Sequence, residues 1–233
     1  MSDERSRRLE APSRRAGPAP ASARVISVNT GTVADLVIAG RPDRSAIDKC
    51  PQAGPVRVGR LGLAADEHGD TQNHGGLDQA VYAYAREDLD WWTERVGREL
   101  SNGEFGENVT TSGIDVSAAL IGETWRMGEV LVQVTSPRIP CETFKAWTGE
   151  DHWVRRFAAA GRPGAYLRVL AEGQIASGDE VDVLARPEQR VTVAESMRAY
   201  YGDAELMRAL LTVPGRGAKW DAIAERVLGR TVA

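Results

Sequence analysis

The chain has 233 residues and a formal net charge of −4, and its 42% hydrophobic and 27% charged residues are ordinary for a globular protein. Its mean hydropathy is −0.34, and no apolar run approaches the roughly 20 residues that a membrane-spanning helix needs. Two cysteines cannot build a disulfide framework, and the acidic balance argues against a dedicated nucleic-acid binder. A membrane protein, a collagen-like chain and a disulfide scaffold are therefore excluded.

The first 23 residues differ in composition from the rest of the chain. Residues 1–23 are rich in arginine, proline, alanine and serine, and they offer too little apolar surface to offset the entropy of ordering. We expect a disordered tail there. The segment has no hydrophobic stretch typical of a secretory signal, and its three acidic residues disfavour a transit peptide. We therefore expect a cytoplasmic protein whose Cys50 and Cys141 are reduced.

Short strands dominate the prediction for the middle of the chain, where alternating or β-branched runs are separated by glycine and proline turns. The predicted strands span residues 24–29, 55–58, 80–85, 107–111, 129–135, 166–170 and 180–184. Apolar residues at helical spacing predict two helices, at 86–100 and 150–160. Many strands with few helices favour a mostly-β barrel over residues 24–186, because regular βαβ alternation is absent.

After this barrel domain the pattern changes to short helices. The predicted helices span residues 193–201, 203–211 and 217–229. We expect them to form a small three-helix unit at residues 187–233. Their apolar faces would pack against the barrel or against a second copy of the chain, so a homodimer is an open alternative.

The segment from Ser136 to Cys141 follows the strongest predicted strand. Pro140 fixes its own backbone and keeps the preceding residue extended, so Cys141 is expected on a stiff segment at a strand end. A thiolate there is a soft metal ligand or a nucleophile, and Arg138 favours the anion. The alternative is a structural cysteine that packs as a small hydrophobe.

A polar loop at residues 62–76 holds two histidines and three acidic residues. Zinc ligation by His68 and His74 is disfavoured, because their spacing fits no zinc pattern. The loop either lines a ligand pocket, with glycines allowing close backbone approach, or is a plain surface turn.

Residues 103–110 form a third segment of interest. Gly106 beside a predicted strand indicates a bulge or a close approach to a ligand, to which Asn108 and Thr110 could donate hydrogen bonds. A turn stabilised by Asn and Glu side chains is the alternative.

Together these segments carry a resemblance to a known family. The matching residues, in chain order, are Lys49-x-Pro51, Gly62-Leu63, Asp66, Asp70, His74-Gly75-Gly76, Ala80, Phe105-Gly106-Glu107-Asn108, Ile121-Gly122, Pro137-Arg138-x-Pro140-Cys141 and Tyr166-Leu167-Arg168-Val169. In this order they resemble the MOSC domain, named after the C-terminal domain of molybdenum-cofactor sulfurase. The likeness is to the YiiM type, the bacterial 6-N-hydroxylaminopurine-resistance proteins, and it covers about residues 24–230, including the "3-alpha" helical unit of that type.

The resemblance implies a barrel-like fold that binds the molybdenum cofactor (molybdopterin) and reduces N-hydroxylated compounds. It implies that Cys141 ligates molybdenum and takes part in catalysis. Because the cofactor presents a dithiolene and an anionic phosphate, its site needs a soft thiolate with cationic and N–H donors. The residues nominated to bind the cofactor are Lys49, Arg138, Asn108, Arg168, Gly75 and Gly76. The residues nominated as proton donors to the N–OH oxygen are Asp66, Glu67 and His74.

Three positions depart from the family pattern. His68 stands where glutamine is usual and Ala65 where glycine is common, and either change could retune the pocket. Cys50 is an added thiol beside Lys49, and it is either a second thiol near the cofactor or a harmless loop residue.

The leading hypothesis is a molybdenum-cofactor-dependent reductase of N-hydroxylated bases or related N-oxygenated compounds. No strand–GxGxxG–helix unit occurs, so a separate electron-donating reductase is implied. The alternatives are a carrier that holds sulfur as a Cys141 persulfide or delivers the cofactor, and a metal-free binding module. A pyridoxal phosphate Schiff base would need Lys49, Lys145 or Lys219 in a deep pocket and is disfavoured. Neither nucleic acid nor a membrane is expected as a partner.

Overall fold

The fold comes from a computed structural model, which describes residues 22–67, 69 and 75–229. Its strands are β1 Arg24–Thr30, β2 Ala34–Ile38, β3 Arg41–Ser45, β4 Cys50–Pro51, β5 Val56–Gly59, β6 Gly62–Leu63, β7 Val81–Ala85, β8 Val109–Ser112, β9 Thr124–Met127, β10 Val130–Pro137, β11 Ala165–Ala171, β12 Gly173–Ile175 and β13 Val181–Ala185. Its helices are α1 Arg86–Val96, α2 Glu142–Thr148, α3 Trp153–Ala160, α4 Val193–Tyr200, α5 Ala204–Leu211 and α6 Lys219–Gly229, with a short 3-10 helix at Leu77–Gln79. Residues 1–21 of the tail predicted at residues 1–23 lie outside the described residues, as do His68 and His74.

The largest sheet has eight strands in the order β13-β9-β10-β11-β7-β8-β1-β4. Its neighbours are antiparallel except for β7 and β8, which run parallel and are joined through α1. One antiparallel bridge links Arg24 to Glu180 just before β13. Over the described residues, however, no continuous ladder joins the two edges of this sheet. The sheet-rich prediction is confirmed, with six helices in the described chain, whereas the closed barrel stays a prediction.

Two smaller sheets complete the strand pairing. Strands β12, β5 and β6 form one of them, and β2 and β3 form an antiparallel hairpin of their own. We call residues 34–45 the β2–β3 hairpin. Its second strand, β3, borders a cleft in the molecule.

Two apolar clusters hold these elements together. In the larger cluster, strand residues such as Val132 and Trp125 pack with helical residues such as Met207 and Trp220. The other cluster is aromatic and consists mainly of Tyr82, Tyr84, Trp92, Phe105, Phe144, Trp153 and Phe157. This aromatic cluster joins α1, α2 and α3 to β7 and to the loop that precedes β8, so it supports the segments that form the site.

The helix predictions differ from the structure at their ends. The helix predicted at 86–100 ends at Val96, because Gly97 adopts a left-handed conformation with φ 72° and caps it. The helix predicted at 150–160 begins only at Trp153. The pattern does not predict α2, which is too short to show a clear apolar stripe, nor the β2–β3 hairpin, whose side chains are mostly exposed.

The last three helices occupy the predicted segments. Thr192 and Glu195 form a capping box at the start of α4, and the Asp203 side chain caps α5. Because the residues of these helices belong to the same apolar cluster as the sheet, the helices pack on the sheet. A separate unit beginning at residue 187 stays a prediction.

A set of hydrogen bonds, which we call the C-terminal junction, fastens the start of α6 and the segment before it to the sheet and the short 3-10 helix. The carbonyl oxygen of Thr135 in β10 accepts from the Gly217 amide at 3.2 Å and from the Trp220 indole at 3.1 Å. The Asp78 carboxylate accepts from the Ala218 amide at 2.6 Å and from the Arg168 guanidinium at 2.6 and 2.8 Å. In the described part of the chain, no helix has the length and apolar character needed to cross a membrane.

Candidate functional site

A cleft opens where the end of β10, the start of α2, the β2–β3 hairpin and the loop before β8 meet. Its walls are formed by Asp43, Arg44, Ser45, Ala46, Ile47, Lys49, Glu67, Gly69, Gly75, Gln79, Tyr82, Gly106, Asn108, Arg138, Cys141, Thr143 and Tyr166. Segments that are far apart in the sequence thus meet at one site, and they bring Lys49, Arg138 and Cys141 into the same cleft.

Cys141 lies at the junction between β10 and α2. It is the residue before the first turn of α2, and its backbone is extended, with φ −126° and ψ 175°. Its carbonyl oxygen accepts from the Lys145 amide at 3.0 Å, which fixes its place at the helix start. The side chain is partly buried and borders the cleft. Cys50, in contrast, is exposed on β4 and does not border the cleft.

Arg138 places a buried guanidinium at the base of the site, with only 7% of the residue exposed. One terminal nitrogen donates to the Phe105 carbonyl oxygen at 2.6 Å, and the guanidinium carbon lies 4.0 Å from the centre of the Phe144 ring. Burial alone would lower the pKa of Arg138, but Tyr166, Tyr82 and Cys141 nearby raise it. The guanidinium is therefore a permanent cation beside the sulfur.

The Nε atom of Arg138 is buried and has no hydrogen-bond partner among the described residues. Buried polar atoms in proteins almost always have a partner. This unpaired donor marks a place where a ligand atom could be bound.

Lys49 forms an ion pair with Asp66 at the edge of the cleft. Burial is the largest influence and lowers the pKa of Lys49, while Asp66 acts in the opposite direction. The second oxygen of Asp66 accepts from the Asn108 side chain at 2.8 Å, and the first also accepts from the Gly31 amide at 2.9 Å. Asp66 is thus fully engaged as the counterion of Lys49.

Asn108, directly before β8, links β1 to β7 and also borders the cleft. Its side-chain oxygen accepts from the Tyr82 amide at 3.0 Å, and its own amide and carbonyl pair with Tyr82 and Asn29. With its side-chain nitrogen on Asp66, the residue holds the Lys49–Asp66 pair against β1 and β7.

The segment before β8 is shaped by Glu107 and two glycines. The buried Glu107 carboxylate accepts from the amides of Gly103 and Phe105 at 2.6 and 3.0 Å. A Cβ on Gly103 would lie 2.3 Å from the Lys49 carbonyl oxygen, and a Cβ on Gly106 would lie 3.0 Å from Ile47. Gly106 thus packs closely against Ile47 in a turn that the Glu107 side chain stabilises. Because Gly106 also borders the cleft, its close approach to a ligand stays a prediction.

Only some of the remaining nominated residues border the cleft. Glu67 and Gly75 border the cleft, whereas Gly76 caps the 3-10 helix and does not border it. Arg168 also lies outside the cleft wall, because its guanidinium is held by Asp78 in the C-terminal junction. His74 lies outside the described residues.

Several cleft residues were not nominated from the sequence. Tyr82 and Tyr166 lie on predicted strands, but a strand pattern does not indicate which aromatic residues border a site. Gln79, Thr143 and the hairpin residue Arg44 carry no motif that marks them. Within the described residues, no group of three or more His, Cys, Asp or Glu side chains is arranged to hold a metal ion.

Comparison with known proteins gives the family. The MOSC domain profile matches residues 70–182. The chain is 35% identical over 186 residues to the uncharacterized protein YflK of Bacillus subtilis, covering 80% of this chain and 84% of that protein. It is 30% identical over 185 residues to a protein named "Reductase" from Gibberella moniliformis, covering 78% of this chain but only 33% of that protein.

A solved structure extends the similarity over most of the chain. The crystal structure of YiiM from Geobacillus stearothermophilus superposes with a TM-score of 0.74 at 30% identity, covering 88% of this chain and 99% of that one. The sequence resemblance, the domain profile and the shared fold agree, and the chain belongs to the MOSC domain family.

Proposed function

We propose that this protein binds the molybdenum cofactor and reduces N-hydroxylated bases or related N-oxygenated compounds. The observation that carries the proposal is the single cleft shared by Cys141, Arg138 and Lys49, in which a soft sulfur ligand lies with two cationic side chains. A thiolate suits molybdenum, and the cations suit the anionic groups of the cofactor.

The residues of the cleft fit the chemistry of this cofactor. Arg138 offers a buried Nε donor with no partner among the described residues. Gly75 borders the cleft with φ 77°, a conformation that glycine adopts without strain and that leaves its backbone uncovered. In the proposal Cys141 holds the metal and Arg138 the anionic part. When bound, the cofactor supplies a redox-active metal that can pass electrons to a substrate.

Reduction of an N–OH group consumes two electrons and two protons and releases an amine and water. The departing oxygen must receive a proton, so an acid or hydrogen-bond donor is needed beside it. Of the three nominated proton donors, Glu67 borders the cleft, and the residue is exposed to solvent. Asp66 is committed to Lys49 and neighbouring donors. We therefore give Asp66 the role of holding Lys49 and give Glu67 the exchange of protons with solvent.

The similarity to a protein named "Reductase" supports an oxidoreductase activity. Because this chain matches only 33% of that protein, the rest of its activity is not transferred. We propose that electrons reach this chain from a separate reductase, which the sequence prediction also requires.

Metal content tests the proposal. Wild type, Cys141→Ala and Cys50→Ala would be purified without oxygen from a host that makes the cofactor and from a host that lacks it, and their molybdenum would be measured by inductively coupled plasma mass spectrometry. Cys50→Ala is the matched control, because it removes an exposed thiol outside the cleft. Wild type and Cys50→Ala from the competent host should hold near-stoichiometric molybdenum, while Cys141→Ala should hold little.

A chemical reductant and 6-N-hydroxylaminopurine then test turnover in the loaded protein, with adenine as the expected product. Molybdenum binding without adenine formation would favour the carrier alternative. Folded wild type that holds no molybdenum from the competent host would reject the proposed function.

A further inference from the structure

We propose, on the basis of the function proposed above, that the Tyr166 hydroxyl donates a hydrogen bond to the N-bound oxygen of the substrate. Tyr166 thereby selects the N-oxygenated substrate over its reduced product.

The backbone holds Tyr166 firmly between two strands. On β11 it pairs with Tyr82 of β7 on one side and with Ser136 of β10 on the other. The rings of Tyr166 and Tyr82 pack with centroids 5.0 Å apart. Since both the strand and the ring are fixed, Tyr166 has a defined position in the cleft wall.

The hydroxyl of Tyr166 differs from those of the two neighbouring tyrosines. The Tyr82 hydroxyl donates to the Pro163 carbonyl oxygen at 2.8 Å, and the Tyr84 hydroxyl donates to that of Arg162 at 2.8 Å. Across the described ranges, the Tyr166 hydroxyl has no such partner. A half-buried phenol group usually finds a partner, so this donor is available to a bound molecule.

Charges near Tyr166 match the proposed role. Arg138 and Cys141 both interact electrostatically with it, and all three residues border the same cleft. Burial is the main influence and raises the pKa of Tyr166, which Arg138 partly offsets. The phenol therefore stays protonated near neutral pH and serves as a donor to an oxygen atom. Proton delivery is left to another group, such as Glu67.

The proposed contact exists only while the oxygen is attached to nitrogen. After reduction the oxygen leaves as water, and the amine product offers no acceptor at that place. A hydrogen bond of ordinary strength corresponds to about a 2- to 12-fold difference in affinity. The site should therefore bind the N-hydroxylated base more tightly than the amine by about this factor.

Isothermal titration calorimetry tests the assignment. Loaded protein would be titrated without oxygen and without an electron donor, using 6-N-hydroxylaminopurine and adenine as the two ligands. The variants are Tyr166→Phe, Tyr82→Phe and Thr143→Val, and the last two remove a hydroxyl from other parts of the cleft wall. We expect Tyr166→Phe to bind both ligands equally, while wild type, Tyr82→Phe and Thr143→Val keep the preference.

The outcomes separate this inference from the proposed function. Wild type that binds neither ligand overturns both. Wild type that prefers 6-N-hydroxylaminopurine, together with a folded Tyr166→Phe that keeps the same preference, overturns only the role of Tyr166.

A second measurement needs no variant. A neutral phenol predicts that the wild-type preference is constant between about pH 6 and 9. A preference lost within that interval would assign the contact to a group other than the phenol and would overturn the assignment to Tyr166.

Discussion

The Lys49 ammonium and the Asp66 carboxylate form an ion pair at the edge of the cleft, with only 8% and 1% of their side chains exposed. Asp66 receives two further hydrogen bonds, from the Gly31 amide and the Asn108 side chain. Burial lowers the pKa of Lys49 and so disfavours its charged form, while Asp66 and, more weakly, Glu107 favour it. The cation proposed to face the cofactor therefore depends chiefly on Asp66.

Lys49→Met should destabilise the protein strongly, because it leaves the Asp66 charge buried without its cation. We expect the free energy of unfolding to fall by about 3 kcal/mol, measured by urea denaturation. Arg126→Met is the control, since its partner Asp182 is 45% exposed and Arg126 itself is 50% exposed. In Arg126→Met the free energy of unfolding should fall by less than about 1 kcal/mol, because the ion pair is exposed. If the free energy of unfolding fell equally in the two variants, burial of the Lys49–Asp66 pair would not be the cause of the loss.

Gly103→Ala should lower the free energy of unfolding by more than the positive φ of Gly103 alone explains. Both Gly103 (φ 89°) and Gly97 (φ 72°) have left-handed backbones, but a Cβ on Gly103 meets the Lys49 carbonyl while a Cβ on Gly97 meets nothing within 4 Å. Gly97→Ala should lower the free energy of unfolding by about 1 kcal/mol, and Gly103→Ala by at least about 2 kcal/mol. Urea denaturation of both variants measures the difference, and similar losses would show that the Lys49 segment moves aside without cost.

Glu107 should give the protein a distinctive pH dependence. Burial raises the pKa of this carboxyl, although hydrogen bonds from Gly103, Thr110 and Phe105 reduce the rise. Since the folded state then holds the proton more tightly than the unfolded state, the contribution of Glu107 to stability falls as pH rises from its ordinary pKa through the raised one.

Glu107→Gln removes this titration. The free energy of unfolding of wild type minus that of Glu107→Gln should therefore decrease with rising pH, which urea denaturation between about pH 4 and 8 would measure. A difference that is constant or increases with pH would contradict the raised pKa.

Arg168→Met should affect stability and leave metal content unchanged. Its guanidinium bonds Asp78, the Gln133 side chain and the Arg216 carbonyl oxygen. We expect the free energy of unfolding to fall by about 1–3 kcal/mol, with molybdenum per folded protein equal to wild type. Arg138→Met, in the cleft, should lose molybdenum. A folded Arg168→Met that also loses molybdenum would instead support the sequence-based nomination of Arg168 as a cofactor ligand.

The parts of the fold that follow a repeating pattern were predictable. Strand β10 alternates buried and partly exposed residues, and the C-terminal helices show apolar faces with side-chain caps. The β2–β3 hairpin has no such pattern, because its strands are largely exposed on both faces. The cleft border that it forms could not be read from periodicity.

The site could be predicted in its chemistry but only partly in its geometry. Cys141, Arg138, Lys49 and Asn108 were nominated from ordered motifs, and all four border one cleft. Sequence order does not reveal which polar groups pair with each other. It therefore could not show that Asp66 is committed to Lys49 or that Arg168 bonds Asp78.

The C-terminal junction has a consequence for protein engineering. Asp78 and Thr135 accept hydrogen bonds from two main-chain amides before α6 and from the indole of Trp220 at its start. Asp78 lies only two residues after Gly76. The helices and the sheet are therefore not interchangeable modules. A chimera that takes its last helices from a relative must also take residues compatible with Asp78, Thr135 and Arg168. Otherwise the graft will leave the partly buried Asp78 carboxylate and the buried Thr135 carbonyl without these donors.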